Sequence, residues 1–509
     1  MLDTQIGLDW SSYTVMGLYL LAVIAMGAWF RRGKVDTETY LLGGRSMPWF
    51  VIGISYFVSL VSTVSMVSGP GEAYEYGVAM AIGVLIQPIA AICAFLIFVR
   101  FYFKHRIFTP FDYLERRFDS RVREIVAGIF CLTRIIYLGM VLFASAKVLE
   151  GAAGWAVWQT IVVVGIIGIA YTVLGGLRAV VWTDVMQFVV LFGGMILIAG
   201  QIVASIPDGI TGVIDFAQSQ DHLFPEATKE TFFAFDPYVR VTLWFLLITY
   251  FLEALFFNSG DQIAIQRLLS TSSYKQAWRS LLTFAIVGTP FHVLIYFVGL
   301  GIYVFYMQQP EHLQPEKGDL ALFNFIATEL PAPVPGLILS AMLAAAMSTL
   351  DSGMNSLATV ITKDFYVRRS RPDATEQMQV QFSRWITFWI GVAAIFSSLG
   401  IANLADRWED TILEAISIWS SFTALIAPIF LLGVTSRRLR AKHILITLIV
   451  TAATLIVMLG WRIQSKMDGE PISFLIVGPL TLVVALITGY GISLFLKPLP
   501  REETRDLTY

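Results

Sequence analysis

An all-α, polytopic membrane protein is the fold class this chain predicts, and three observations predict it. Of its 509 residues, 56% are hydrophobic and only 14% are charged. The mean hydropathy of +0.70 lies far above that of a soluble domain of this length. Apolar runs close to the roughly 20 residues needed to cross a hydrocarbon core recur along the whole chain. The basic residues collect in alternate connections between those runs, as the positive-inside rule requires.

Thirteen runs are expected to span, at about 10–30, 48–69, 77–101, 124–148, 156–175, 182–204, 240–258, 281–306, 336–361, 383–403, 411–433, 443–461 and 473–496. Seven connections on one side (31–47, 100–123, 175–181, 259–280, 363–384, 434–442 and 497–509) hold 27 of the 35 lysines and arginines. The opposite connections hold only Lys229, Arg240, Lys317, Arg407, Arg462 and Lys466, while Arg134 and Lys147 fall inside a span. The N-terminus is therefore expected outside and the C-terminus in the cytoplasm, as an odd number of spans demands. No cleavable leader is expected, because Asp3 and Asp9 precede the first run and Arg31-Arg32 follow it. The net charge of −2 carries no information about partners, since the asymmetry lies across the membrane. Cys93 and Cys131 sit in apolar runs and read as inert thiols.

The connections are too short for a soluble catalytic domain. The longest run over 205–238 on the outer side, and over 102–123 and 363–382 on the inner side. Leu330 to Pro335, with three prolines, reads as a stiff turn ahead of the ninth span.

That ninth span is the most informative stretch. Residues 340–364 read SAMLAAAMSTLDSGMNSLATVITKD, apolar enough to cross a bilayer yet carrying Ser348, Thr349, Asp351, Ser352, Asn355 and Ser356. Positions 348, 351, 352 and 355 lie three or four apart and share one helix face. Neutral and anionic oxygens in that arrangement suit a hard cation, and a carboxylate at membrane depth marks a functional site. Small hydroxyl residues also simply let helices pack closely or bond back to their own backbone.

Two spans carry turn formers at their ends. The second holds Ser59, Ser62, Thr63, Ser65 and Ser68 and is expected to break at Gly69-Pro70-Gly71, and the seventh ends in Asn258-Ser259-Gly260-Asp261. Helices broken at membrane depth are tolerated where they line a cavity, and their freed backbone groups can bind ions. The two spans are five apart, so units starting at each enter the membrane from opposite sides, as in an inverted repeat.

SGPGEAYEYG (68–77), GGLRAVVWTDVMQ (175–187), DQIAIQRLLS (261–270) and AAAMSTLDS (344–352) occur in that order. Together they resemble the sodium:solute symporter family over roughly residues 10–435. The resemblance implies a LeuT-type core of two inverted five-helix repeats. It divides the chain into a peripheral span and inner loop (1–46), a first repeat (47–204), an outer loop (205–238), a second repeat (239–435), and two peripheral spans with a cytoplasmic tail (436–509). It also implies a multi-pass protein of the cell membrane that imports a sugar, a sugar acid or a monocarboxylate with sodium.

Carried over by motif, the family's common sodium site falls on the hydroxyls of Ser348 and Thr349 and the carbonyls of Ala345, Val58 and Val61. A second, deeper sodium site found in some members falls on Asp184, Asp351 and Ser352. Asp351 departs from the pattern, which has a serine there. This carboxylate either tightens the site or holds a proton, and Asp184 can alternatively cap a helix N-terminus. One sodium is expected, with a second left open. The solute cavity is expected to take Ser62, Ser65, Gln87, Arg134, Glu253, Phe257 and Asn258. Arg134 can fork onto a substrate carboxylate or snorkel to phosphates, and Glu253 can pair with Lys147. Phe257 and Asn258 stand where several sugar carriers have an aromatic gate.

An enzyme is not expected: the five histidines are scattered, and no GxSxG, HExxH or phosphate loop occurs. The expected partners are the solute, sodium and the bilayer, without nucleic acid, and a monomer suffices. A proton-coupled carrier, or a solute-gated sodium channel or sensor, remains the alternative.

Overall fold

The computed structural model describes residues 8–30, 36–224, 230–312, 314, 315, 317–405, 418–500, 507 and 508. Arg31-Arg32, Lys229, Arg407 and the first residues of the eleventh expected span (411–417) lie outside the described residues. All regular structure among the described residues is helical. Among the described residues, eleven helices are long and apolar enough to cross a membrane, and a bent pair that passes the same test together makes twelve when taken as one span.

Apolar composition alone does not say which helices are central; burial does. In the helix Val334–Ser370, 89% of the apolar window is buried, against 28% for Trp10–Trp29 and for Glu376–Leu404. The hydroxyl-rich helix is thus the core of the bundle, packed on Val157–Ser205, Ser120–Ala153, Trp10–Trp29 and the bent pair. Outward-facing side chains such as Val189, Ile286, Ile456 and Phe396 remain exposed, as a lipid-facing surface requires.

The bent pair is Trp49–Leu60 and Thr63–Tyr76, turned by 63°. The break lies at Val61-Ser62, both extended, and not at Gly69-Pro70-Gly71, which sits inside the second helix. The glycines serve close packing instead. A Cβ on Gly69 would lie 2.3 Å from Ile295 Cγ2, and one on Gly71 would lie 2.9 Å from the Gly318 carbonyl. Proline ends a helix only where its neighbours cannot absorb the lost bond, and here tight packing on both sides holds the helix together.

Val157–Ser205 runs for 49 residues, about 74 Å at 1.5 Å per residue and far more than one crossing needs. Gly176 divides it, at φ 60° and ψ −163°. Only glycine fits: the backbone conformation is closed to other residues, and a Cβ would meet the Tyr40 ring at 2.7 Å. The helix Leu243–Gly260 ends where expected. Asp261 is extended and caps the short helix Gln262–Leu269, its Oδ1 accepting from Ile263 N at 2.8 Å.

Candidate ion and solute site

The first half of the bent pair ends against the hydroxyl-rich helix, and this contact gathers neutral oxygens. The C-terminal carbonyls of a helix have no intrahelical partner, so the break leaves those near Val58 and Val61 available. Ser348 Oγ donates to the Val58 carbonyl at 3.2 Å and to the Ala345 carbonyl at 2.9 Å. Thr349 Oγ1 donates to the same Ala345 carbonyl at 3.2 Å. Val58, Val61, Ala345 and Ser348 are fully buried and Thr349 nearly so. Thr63, just past the break, donates to the Met342 carbonyl at 3.0 Å and fixes the second half to the same helix. Four of the five oxygens assigned by motif are thereby joined in one hydrogen-bonded cluster, and the fifth belongs to the residue at the break itself.

A charged cluster lies beside it. Asp184 Oδ2 accepts from Ser55 at 2.5 Å, from Ser59 at 3.4 Å and from Arg267 Nη2 at 3.2 Å. Asp351 Oδ2 accepts from Tyr171 at 2.8 Å, and its Oδ1 from Ser352 at 3.2 Å. Ser352 also lies 3.1 Å from Ser59 and accepts from Arg267. Asp184 lies well inside the helical segment after Gly176 and does not cap it. The three residues assigned to a deeper cation are therefore together, but they share their space with a fully buried guanidinium. Two carboxylates face one arginine, and Asp184 Oδ1 has no hydrogen-bond partner among the described residues.

Arg267 and Asp261 are the buried charges of this site that sequence reasoning missed. Both stood in a quoted motif, but Arg267 was counted as one more loop charge. The signal was present: Ile263, Ala264, Ile265, Leu268 and Leu269 flank it, and an arginine set among so many aliphatic residues in a membrane protein is a candidate for burial. Not every polar residue of the central helix serves an ion. Asn355 and Thr359 hold Gln266, at 2.7 and 2.9 Å, and Ser356 bonds back to Gly353 at 2.9 Å.

A cavity of about 260 Å³ opens beside the break. Ser65, Gln87, Arg134, Glu253, Phe257 and Asn258 line it, while Ser62 is buried at the break and is not among its described walls. Arg134 does not snorkel. Its guanidinium pairs with Asp261, which a helix end holds in the cavity wall, and lies over the rings of Phe130, Tyr137 and Phe257. Nor do Glu253 and Lys147 pair: Glu253 accepts from Ser420, and Lys147 is half-exposed beside Glu150. Asn258 accepts from Tyr56 and donates to the Ala254 carbonyl at 2.6 Å, so its amide is committed to structure.

Removing one member of a buried ion pair strands the other, at a cost of about 3–5 kcal/mol. Arg134→Ala is therefore expected to lower stability by that amount, and adding Asp261→Asn is expected to restore most of it. Thermal unfolding of the single and double variants in detergent reads the coupling. Strictly additive losses would show that the two residues do not act as a unit.

Helices broken at membrane depth around a neutral oxygen cluster and a polar cavity define an ion-coupled membrane carrier. The chain belongs to the sodium:solute symporter family, which it matches over residues 40–451. It is 28% identical over 484 residues to the sodium/sialic acid symporter of Proteus mirabilis, covering 93% of each chain. It is 26% identical over 479 residues to the sodium/glucose cotransporter of Vibrio parahaemolyticus, covering 89% of this chain and 85% of that one. In structure it superposes on the substrate-bound, outward-open state of a Na+-coupled sialic acid symporter with a TM-score of 0.86 at 24% identity, covering 96% of this chain and 99% of the other. The nucleobase-cation-symport-1 transporter Mhp1 shares the fold at a TM-score of 0.56 and 12% identity, covering 93% and 99%. The protein is thus a multi-pass carrier of the cell membrane that couples solute movement to sodium, and it belongs with transporters, not enzymes.

Proposed function

We propose that this symporter imports its solute by alternating access between two inverted five-helix repeats, 47–204 and 239–435, within thirteen crossings that begin outside and end in the cytoplasm. The solute, from the range of sugars, sugar acids and monocarboxylates, occupies the cavity walled by Ser65, Gln87, Arg134, Glu253, Phe257 and Asn258. One sodium binds Val58, Val61 and Ala345 through carbonyls and Ser348 and Thr349 through hydroxyls. The observation that carries this reading is the 3.2 Å contact between Ser348 and the Val58 carbonyl at a helix break that borders the cavity. Neutral oxygens hold sodium with modest affinity, so it can bind on one side and leave on the other. One protomer holds both the ion cluster and the cavity, so a monomer suffices.

A second sodium binds between Asp184, Asp351 and Ser352. The excess of carboxylate over guanidinium and the unpartnered Asp184 Oδ1 support it. The stake is energetic: one charge crossing 100 mV contributes about 2.3 kcal/mol and two contribute about 4.6, the difference between roughly 50-fold and roughly 2000-fold accumulation. Reversal potentials in proteoliposomes at varied sodium and constant pH test the count. Two sodium ions per solute are expected, with cooperative uptake that Asp184→Asn reduces to a Hill coefficient near one. A single sodium in the wild type would remove the deeper ion. A reversal potential that follows pH instead would favour the proton-coupled alternative.

A further inference from the structure

We propose that Glu253 selects this carrier's solute, and that the solute offers hydroxyl or ammonium donors and bears no net negative charge. The inference rests on the assignment of the cavity to the solute. Ionised groups on the cavity walls decide what charge can enter, because a dry, low-dielectric site magnifies every uncompensated one. The walls hold one guanidinium, Arg134, and two carboxylates, Asp261 and Glu253. Arg134 is already matched by Asp261 and stacked among three rings, so it cannot offer a solute carboxylate an uncompensated fork.

Glu253 has no cationic partner among the described residues. The hydroxyl of Ser420 is its hydrogen-bond partner, and Lys147, the basic residue expected beside it, is held by Glu150 on another surface. A carboxylate accepts and does not donate when ionised. In its ionised form Glu253 meets a solute carboxylate with like charge, while a hydroxyl or ammonium meets a prepared acceptor; specificity by repulsion works in this way. Next to Ser420, Trp419 and Phe422 stack with ring centroids 4.8 Å apart. Such rings cover the apolar face of a sugar or the charge of an ammonium equally well. His292, also on the cavity wall, donates its Nδ1–H to the Gly288 carbonyl at 2.8 Å, which leaves Nε2 as an acceptor. Sialic acid, the solute named for two of the relatives, is a carboxylate and would be disfavoured here.

The test is sodium-dependent binding to the full-length protein in detergent, followed by intrinsic tryptophan fluorescence, with Trp419→Phe as the control that assigns the signal to the cavity. The probes are a sialic acid, pyruvate, a panel of neutral hexoses and polyols, and choline. At least one neutral or ammonium probe is expected to bind ten-fold or more tightly than either carboxylate. Glu253→Gln is expected to weaken that probe about ten-fold and to strengthen sialic acid binding. A gain for the carboxylate cannot come from general damage to the fold. Tight binding of sialic acid or pyruvate to the wild type, binding of no donor probe, or an unchanged preference in Glu253→Gln would each overturn the proposal. A sodium titration without solute separates the two readings: a protein that responds to sodium but prefers a carboxylate remains a symporter, and only the assignment to Glu253 falls.

Discussion

Arg267→Ala is expected to be among the most damaging single changes in this chain, lowering stability by about 3–5 kcal/mol. The side chain is fully buried and donates to Asp184, Ser55 and Ser352, and to the Ile263 carbonyl at 3.4 Å. Without it, Asp184 and Asp351 face one another across Ser352 with no protein cation between them. Arg267→Lys keeps the charge but cannot reach three oxygens in one plane, so a smaller loss is expected. The double variant Arg267→Ala with Asp184→Asn removes the stranded charge and is expected to recover much of the stability. Unfolding midpoints in detergent rank the four proteins. Raised sodium should partly rescue Arg267→Ala if the two carboxylates bind the ion, because a ligand of the native state stabilises it by mass action. A wild-type midpoint in Arg267→Ala would show that this arginine holds nothing together.

Ser348→Ala and Thr349→Ala are each expected to raise the sodium concentration for half-maximal response roughly ten-fold, with folding little changed. Each removes one neutral oxygen, worth about 1–2 kcal/mol as a polar contact within a membrane. Ser348→Ala also takes its partner from the Val58 carbonyl at the helix break, whereas Thr349→Ala leaves the Ala345 carbonyl in its own helical ladder and strands no group. The effect of Thr349→Ala is thus one of ion affinity and not of stability. Sodium titration of the purified variants, followed by intrinsic fluorescence, measures it. An unchanged midpoint in the double variant would remove the ion from this cluster.

Much of this protein was legible in its sequence because membrane insertion constrains sequence directly. A spanning helix must be apolar over a fixed length, and so the helical segments and the hydroxyl-rich central helix could be read as strings. Two breaks were also visible, though one was misplaced. Gly69-Pro70-Gly71 has the composition of a turn, but its glycines admit neighbouring backbone, and the chain opens instead at Val61-Ser62, where no residue type announces it. Five of the residues expected at the cavity and lining it, Ser65, Gln87, Arg134, Glu253 and Asn258, were legible for a related reason: polar groups at membrane depth are costly and stand out against an apolar background.

What the sequence by itself determined is which residues are out of place in a bilayer: the hydroxyls and carboxylate of 348–352, Asp184, Arg134 and Glu253. What only the tertiary structure decided is which of them compensate one another. Arg134 faces Asp261 and not a solute, Arg267 stands between Asp184 and Ser352, and Glu253 is left with a hydroxyl. The physical reason is that the cost of burying a charge belongs to one residue and can be read from its identity. The compensation belongs to a pair, set at a few ångströms between helices more than eighty residues apart in the chain.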